Sequence, residues 1–230
     1  MEELNYCYKY PRPSVTTDCV IFGFDKEGIS VLLIQRGIDP YKGCWAFPGG
    51  FLQMDENAET GALRELKEET GFETADIEQF GTFSAVDRDP RGRVITVAYY
   101  ALVRKGEVQG ADDAADARWF PLQQIPALAF DHQQILEKAL KTLKEKIYFK
   151  PIGFELLPDV FTMPQLQNLY ECILNVEFDR RNFASKMLKS GLLSEVEDQM
   201  ERKGPRNPKL YRFNADQYAR MKERGTRLEF

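Results

Sequence analysis

Acidic side chains are concentrated within residues 50–72, which read GFLQMDENAETGALRELKEETGF. Glu65, Glu68 and Glu69 are spaced i, i+3 and i+4, so on a helix they share one face, with Cβ atoms about 5–6 Å apart. Like charges so placed repel by about 0.2–0.5 kcal/mol per pair. A divalent cation would offset this repulsion, and Mg²⁺ combines a few protein carboxylates with water and substrate phosphate. The spacing therefore indicates a metal site.

A glycine-rich turn precedes the acidic segment. Residues 48–50 read PGG, and the glycines let a protein backbone approach a phosphate group closely. Together, the turn and the glutamates favour a site for a diphosphate and a divalent cation. The alternative is a solvated helix face on which Arg64 and Lys67 pair with the glutamates, which is the usual role of a run of charges.

The segments around the glutamates predict a mixed α+β fold. Residues 57–70 contain no proline and, after Gly61, consist of helix formers, while Gly71 is a helix stop signal. Residues 131–147 carry apolar side chains at helical spacing and predict a second helix. β-Branched and apolar runs predict two hairpins, 15–24 with 29–35 and 80–86 with 94–103.

The chain changes character near residue 150. Two prolines and a glycine within 151–158 interrupt any long element, so we predict one domain over 1–150 and a second over 151–230. Counted from residue 150 onward there are 14 Lys and Arg against 12 Asp and Glu, which leaves 17 against 24 for the first part. The second part is thus weakly basic and the first is acidic.

The second part has the outline of a winged helix-turn-helix domain. Thr162, followed by Pro164, begins one helix, and Asp179 caps another. A basic KGPRNP stretch and the strand-like KLYRF follow, and a final helix is predicted over 215–224. Two helices followed by two strands around a basic loop predict the winged helix.

Composition places the chain among globular proteins. Hydrophobic residues make up 43% and charged residues 29%, which permits a substantial core. Because we find neither a run of about 18 apolar residues nor a secretory signal pattern, we expect a cytoplasmic protein with no membrane partner. The cysteines form no CxxC pair and are expected to be reduced thiols: Cys7, Cys19, Cys44 and Cys172.

The acidic segment resembles a complete Nudix box. The pattern is Gly50, five residues, Glu56, seven residues, and then RELKEETGF over 64–72. Phe72 stands where the pattern usually has an aliphatic residue, and it preserves the apolar packing role. The resemblance implies a Nudix α/β/α sandwich, followed here by the winged helix-turn-helix domain.

The Nudix resemblance also implies a role for each acidic residue. Glu65, Glu68 and Glu69 would bind Mg²⁺, with Mn²⁺ as the alternative, and Glu56 would brace the loop or join the metal shell. Either Glu68 or Glu69 would activate a water molecule, and Arg64 would orient the glutamates by ion pairing. Water would then attack one phosphorus of a diphosphate and expel the other phosphate.

The segment AVDRDPRGRVITVAYYALV resembles the corresponding part of Nudix proteins that act on or sense ADP-ribose. It implies that its arginines, Arg93 among them, contact phosphate or ribose; the alternative is an exposed hairpin turn with solubilising charges. Arg36, at the end of LLIQR, either faces the pocket or caps a strand. The expected substrate-binding residues are Gly49, Gly50, Arg36, Arg88 and Arg91.

Other titratable residues are ambiguous. His132 is the sole histidine, and at a helix start beside Asp131 we expect it to be structural rather than a proton carrier. Asp112, Asp113 and Asp116 predict an exposed acidic loop, with a water-activating carboxylate as the alternative.

The second part resembles the winged-helix domain of Nudix-related transcriptional regulators of the NrtR type, through FTMPQLQNLYECIL, FDRRNFASKMLKSGLL and PRNPKLYRF. This implies that helix 180–189 enters the major groove of double-stranded operator DNA, and that a homodimer binds a near-palindromic site. The implied DNA contacts are Arg180, Arg181, Asn182 and Lys186 from the helix, and Lys203, Arg206 and Lys209 from the wing.

Two functions stay open at this point. The first is a DNA-binding regulator whose Nudix domain senses ADP-ribose or a related metabolite. The second is an ADP-ribose-type pyrophosphatase whose C-terminal domain serves dimerisation. We favour the regulator, and because the box is nearly intact we expect the Nudix domain to retain full or partial Mg²⁺-dependent diphosphate hydrolysis.

Overall fold

The structure, a computed structural model, describes residues 8–25, 27–74, 76–108, 110, 114–147, 153–196 and 209–223. In chain order the strands and helices are β1 Ser14–Asp25, β2 Gly28–Arg36, β3 Trp45–Ala46, α1 Ala58–Thr70, β4 Glu78–Phe83, β5 Val94–Arg104, β6 Ala114–Pro121, α2 His132–Ile147, β7 Phe161–Thr162, α3 Met163–Leu174, α4 Arg180–Lys189, β8 Leu193–Val196, β9 Leu210–Phe213 and α5 Ala215–Glu223. Short 3₁₀ turns occupy Leu122–Gln124 and Phe154–Leu156.

The first domain is built on a six-stranded mixed sheet. Its strands lie in the order β3-β2-β1-β5-β4, and β6 pairs with β2. The antiparallel pairs β1–β2 and β4–β5 confirm the two predicted hairpins. β1 also pairs with β5 in parallel, in register from Ser14–Val94 to Phe24–Arg104, so the two hairpins form one sheet.

Helices cover both faces of this sheet, which explains why β1 is apolar on both sides. Cys19 and Ile21 pack against Ala62 and Leu66 of α1. Val20, which points the other way because side chains alternate along a strand, belongs to the cluster that contains α2. The arrangement confirms the predicted α/β/α sandwich.

Local sequence signals fix the bounds of α1. The side chain of Asn57 accepts a hydrogen bond from the Thr60 N–H at 2.9 Å, which satisfies a free donor of the first turn. Gly71 ends the helix with φ +67°, a conformation that favours glycine. The predicted helix is confirmed, and it positions the acidic face.

The second domain is the predicted winged helix-turn-helix. Thr162 and Gln165 form a reciprocal capping box at the start of α3, and Asp179 accepts from the Asn182 N–H at 2.9 Å at the start of α4. Strands β7, β9 and β8 form a three-stranded antiparallel sheet. The boundary predicted at residue 150 lies outside the described residues.

The second domain packs directly on the first. One hydrophobic cluster joins Phe24 and Ile29 of the β1–β2 hairpin to Tyr170 of α3. Arg104, at the end of β5, donates a hydrogen bond to the carbonyl oxygen of Leu157. The two domains therefore share apolar packing.

Among the described helices, none is long and apolar enough to cross a membrane.

Candidate functional site: an acidic cleft and a cationic helix

A cleft of about 240 Å³ opens beside the turn that leads from β3 to α1. Its walls come from β1, β2, that turn, α1, the β4–β5 loop and the start of α2. Eight of the expected metal, catalytic and substrate residues line it: Arg36, Gly49, Gly50, Arg64, Glu65, Glu69, Arg88 and Arg91. Residues far apart in the chain thus meet at one concave surface.

Arg64 connects three of the glutamates. Its guanidinium contacts Glu56 at 2.6 and 3.0 Å, and its Nη1 contacts Glu65 and Glu68 at 2.8 Å each. Glu56 also accepts from the Gln53 N–H at 2.8 Å, which holds the loop in place. The hydrogen bonds between Glu56 and Arg64 are the main cause of a raised arginine pKa and a lowered carboxyl pKa. One guanidinium therefore offsets much of the repulsion on this face.

Glu69 is the buried carboxylate of the set, with 7% of its surface exposed. One of its oxygens accepts from the Gly49 N–H at 2.8 Å. Burial raises the pKa of Glu69 to about 8, and the nearby carboxylates of Glu65 and Asp18 act in the same direction. A divalent cation would stabilise its ionised form, so the donor chemistry fits such an ion.

No preformed metal cage is present in the described part of the chain: there, no three His, Cys, Asp or Glu side chains are gathered so that they could hold an ion. The pKa of Glu65 is raised by burial, with the hydrogen bond from Arg64 opposing it. Glu68 is 44% exposed and is held by the same guanidinium. Arg64 contacts one carboxylate oxygen of each of these two side chains, Glu65 Oε1 and Glu68 Oε2, and the other oxygen of each has a lone pair for an ion.

The two glycines of the turn have different neighbours. The turn is hydrogen bonded to β1, because the Thr17 N–H donates to the Gly50 carbonyl at 2.9 Å. A Cβ atom at Gly49 would lie 2.0 Å from the Thr17 carbonyl oxygen, whereas one at Gly50 would lie 2.4 Å from the Glu65 carboxylate. Gly49 therefore permits the turn to approach β1, and Gly50 leaves space for the acidic side chain.

Arg36 and Arg88 both line the cleft, but their guanidinium groups have protein partners. Arg88 is buried and forms a bidentate pair with Asp131 at 2.7 and 2.9 Å, with Asp18 3.6 Å away. Arg36 donates to the Pro40 carbonyl at 2.8 Å and so also fixes the loop after its strand. Arg88 thus braces the floor of the cleft.

The β4–β5 loop holds its other arginines differently. Arg91 pairs with Asp89 at the mouth of the cleft. Arg93 is not part of the lining and instead donates to the carbonyl oxygens of Ser84 and Ala85 at 2.8 and 3.1 Å. Its interactions support the loop rather than the cleft.

The acidic loop that was predicted near residue 112 is only partly described. Asp116 is half-buried in β6 and pairs with Arg118, so the prediction of an exposed loop is wrong for this residue. Asp112 and Asp113 lie outside the described residues.

Sequence reasoning missed Asp18 and did not place His132 in the cleft. The His132 ring is buried and its Nδ1 accepts from the Phe47 N–H at 2.9 Å, while Nε2 lies 3.5 Å from Asp18. Burial lowers the pKa of His132, which agrees with a neutral, structural imidazole. The available signal for Asp18 was a charged residue within the otherwise apolar run 15–24.

Helix α4 presents a cationic surface. Phe183 and Met187 are buried in the core, whereas the expected DNA contacts on the helix are exposed: Arg180, Arg181, Asn182 and Lys186. Lys209 is exposed and pairs with Glu195 at 2.9 Å. Lys203 and Arg206 lie outside the described residues.

Comparison with known proteins finds a family match for each of the two domains. The family model described as NUDIX domain matches residues 12–143, and that described as NrtR DNA-binding winged helix domain matches residues 153–213. The chain is 38% identical over 214 residues to the ADPR responsive transcriptional repressor NtrR of Acinetobacter baylyi, which covers 91% of this chain and 85% of that protein.

Two further relatives are informative. An ADP-ribose pyrophosphatase of Methanocaldococcus jannaschii is 41% identical over 132 residues, which cover 57% of this chain and 76% of that protein. The crystal structure of Shewanella oneidensis NrtR complexed with a 27mer DNA is 33% identical, with a TM-score of 0.72, over 89% of this chain and 95% of that chain.

The two turn glycines give a matched pair of substitutions. Gly49→Ala forces a Cβ against the β1 backbone, so we expect a loss of about 1–3 kcal/mol in unfolding free energy. Gly50→Ala meets only the end of the Glu65 side chain, so the protein should stay folded while its affinity for divalent ions falls. Thermal unfolding and calorimetric titration with Mn²⁺ measure the two effects. Equal destabilisation by both substitutions would contradict this assignment.

His132 should make stability depend on pH. Its lowered pKa means that the folded protein binds fewer protons than the unfolded chain, so the stabilisation is present above about pH 6.5 and is lost as the pH falls. In His132→Asn, the amide oxygen replaces Nδ1 as an acceptor and does not titrate. The stability advantage of the unmodified protein over this variant should shrink between pH 7 and pH 5, by at most about 1.4 kcal/mol per pH unit. Urea unfolding across this range measures it; a constant difference would rule the role out.

Proposed function

Because the chain belongs to the Nudix family and carries an NrtR-type winged helix, we propose that it is an ADP-ribose-responsive transcriptional repressor. The Nudix cleft binds ADP-ribose or a closely related nucleoside-diphosphate metabolite, and the winged helix binds double-stranded operator DNA. The observation that carries the proposal is the similarity to the Acinetobacter repressor across 91% of the chain, which includes both domains.

We propose residues 1–150 and 151–230 as the two domains. The first family match ends at residue 143 and the second begins at residue 153, which agrees with a boundary between them.

The cleft has the chemistry that a diphosphate needs. The Gly49–Gly50 backbone, Glu65 and Glu69 lie together at one end of it. Carboxylates repel phosphate unless a cation lies between them, so ligand and divalent ion are expected to bind together. Arg36 lines the same cleft and acts on Glu69 electrostatically, which places a positive charge near the diphosphate.

Members of the family generally use divalent metal ions, and we propose Mg²⁺ here, with Mn²⁺ as the alternative. Glu56, Glu65, Glu68 and Glu69 would hold the ion, which when bound neutralises phosphate oxygens and lowers the pKa of a water molecule. Arg64 orients the first three by ion pairs. The backbone of Gly49 orients the fourth.

The DNA-binding surface is the exposed side of α4. Its arginines can contact phosphates and base edges, and Asn182 and Lys186 extend the same surface. Arg206, in the basic loop of the wing, would add contacts to the DNA phosphate backbone. We propose a homodimer, because two-fold symmetric proteins read near-palindromic operators with one recognition helix per half-site.

Strand β2 gives the ligand a direct connection to the DNA-binding domain. It begins at Gly28, where an added Cβ would be 3.4 Å from the Cys172 sulfur of α3. It ends at Arg36, which lines the cleft. A ligand that displaces the cleft end of this strand would therefore also act on the domain interface.

A second candidate function is ADP-ribose pyrophosphatase activity. The Nudix box retains every glutamate of the pattern, and the Methanocaldococcus pyrophosphatase is 41% identical over 132 residues. The two activities are compatible in one chain. A repressor that hydrolyses its own effector would remove the effector and so end the response. Separate measurements of DNA binding and of hydrolysis distinguish them.

DNA binding depends on α4 if the proposal is right. In a mobility-shift assay on the promoter beside its own gene, Arg181→Ala should weaken binding by about tenfold, the equivalent of 1.4 kcal/mol. Lys141→Ala on α2 also removes an exposed cation and should leave binding unchanged. ADP-ribose should release the complex. The absence of any sequence-specific shift at low salt would exclude the repressor function.

Hydrolysis is tested by product analysis with ADP-ribose and Mg²⁺. We expect AMP and ribose 5-phosphate from the unmodified protein and none from Glu69→Gln, because the amide cannot ionise to bind a divalent cation as the carboxylate can. Glu73→Gln, just beyond α1 and paired only with Lys67 among the described residues, should keep full activity. If the unmodified protein binds ADP-ribose without turnover, the Nudix domain acts only as a sensor.

A further inference from the structure

Arg91 lies beside two aromatic rings at the mouth of the cleft. Its guanidinium carbon is 4.9 Å from the centre of the Phe51 ring and 5.7 Å from the centre of the Phe130 ring. Phe51 is 43% exposed, so it is accessible to a ligand. All three residues line the cleft. This end of the cleft therefore presents flat surfaces to a ligand.

One edge of the Arg91 guanidinium, formed by Nε and Nη2, is already occupied by Asp89. Nε donates to Oδ1 at 3.0 Å and Nη2 donates to Oδ2 at 2.7 Å, a bidentate pair in the guanidinium plane. Asp89 is also fixed by the Arg91 backbone N–H at 2.9 Å, and its side chain is only 3% exposed. A bidentate phosphate contact is therefore restricted to the remaining Nη1/Nη2 edge. The faces of the guanidinium, unlike its edge, carry no hydrogen-bonding groups and are suited to stacking.

Arg91 is close to the diphosphate end of the cleft. The carbonyl oxygen of Phe51 accepts from Arg64 Nη2 at 3.3 Å, and the guanidinium of Arg64 also holds Glu65. One residue thus has its backbone at the acidic centre and its ring against Arg91. A nucleotide whose diphosphate lies at the glutamates can reach this ring with its base.

We propose that Arg91 is the stacking platform for the base of the nucleotide ligand, and that Asp89 is the positioning residue that holds the guanidinium plane in place. This proposal depends on the proposed function and extends it to the nucleobase. Arg91 then selects ligands with an aromatic base, since Arg guanidinium planes and aromatic rings stack on any base face. The sequence had suggested a phosphate or ribose contact for this residue. The two neighbouring rings, together with the edge already paired with Asp89, favour the base instead.

The test compares a ligand with a base and one without. Arg91→Lys keeps the positive charge beside Asp89 but removes the planar group. We expect this substitution to weaken ADP-ribose binding by about tenfold and to change the affinity for ribose 5-diphosphate by less than about twofold. Calorimetry with the full chain and Mg²⁺ measures both affinities, and thermal unfolding checks that the variant is folded.

The chain contains a matched control. Arg118 also pairs with an aspartate two residues away, Asp116, and lies 5.8 Å from the centre of the Trp45 ring, but it does not line the cleft. Arg118→Lys should leave both affinities unchanged. Asp89→Asn should weaken ADP-ribose binding selectively, by less than Arg91→Lys does, because the plane is present but less firmly held.

A second measurement needs no variant that might fail to fold. In the unmodified protein with labelled arginine, the H2 and H8 protons of bound ADP-ribose should show nuclear Overhauser effects to the Arg91 side chain. Three outcomes would overturn the stacking role without contradicting ADP-ribose binding by the unmodified protein. Arg91→Lys could lower the affinity for both ligands equally, it could change neither affinity, or the nuclear Overhauser effects could be absent. Failure of the unmodified protein to bind either ligand would overturn the proposed function, and the stacking role with it.

Discussion

The structure depends on how the acidic face of α1 is balanced. Three carboxylates meet the Arg64 guanidinium at 2.6–2.8 Å, which permits a short helix to tolerate a spacing that is unfavourable by itself. Lys67 does not contribute, since it pairs with Glu73 beyond the helix. Glu69 lies outside this network and is buried, with its pKa raised by burial. The glutamates thus fall into two groups. Glu69 is a buried carboxylate that a cation can stabilise strongly, whereas the other three are already paired with Arg64.

The turn before α1 transmits this arrangement to the sheet. Gly49 donates to Glu69 while its Cα lies against the Thr17 carbonyl, and the Cys19 N–H donates to the Pro48 carbonyl at 2.8 Å. Because β1 is the central strand, buried on both faces, it cannot move without disturbing both helix layers. The acidic centre is therefore anchored to a central strand that is buried on both faces. Of the β4–β5 loop arginines, Arg88 is buried in the lining of the cleft and Arg91 is the more exposed one.

Features coded by neighbouring residues were predictable from the sequence. The caps at Asn57, Gly71, Thr162 and Asp179 are local signals, and all four stand where helices begin or end. The parallel pairing of β1 with β5 joins residues about 80 positions apart, and no local pattern encodes it. For the same reason the partners of Arg88 could not be foreseen, since Asp131 is 43 residues away. The spacing of the Nudix box located the acidic centre, whereas the floor and mouth of the cleft depend on tertiary contacts.

The shared core between the domains limits how a ligand could control DNA binding. A ligand shifts an equilibrium only by its difference in affinity for two arrangements of the protein, so ADP-ribose must prefer an arrangement of the cleft that DNA does not. β1 and β2 extend from Asp18 and Arg36 in the cleft to Phe24 and Ile29 in the domain interface. Packed strands of this kind move as units rather than deforming gradually. Coupling between two binding sites is reciprocal. Bound operator must therefore lower the affinity for ADP-ribose by the same factor as ADP-ribose lowers the affinity for the operator.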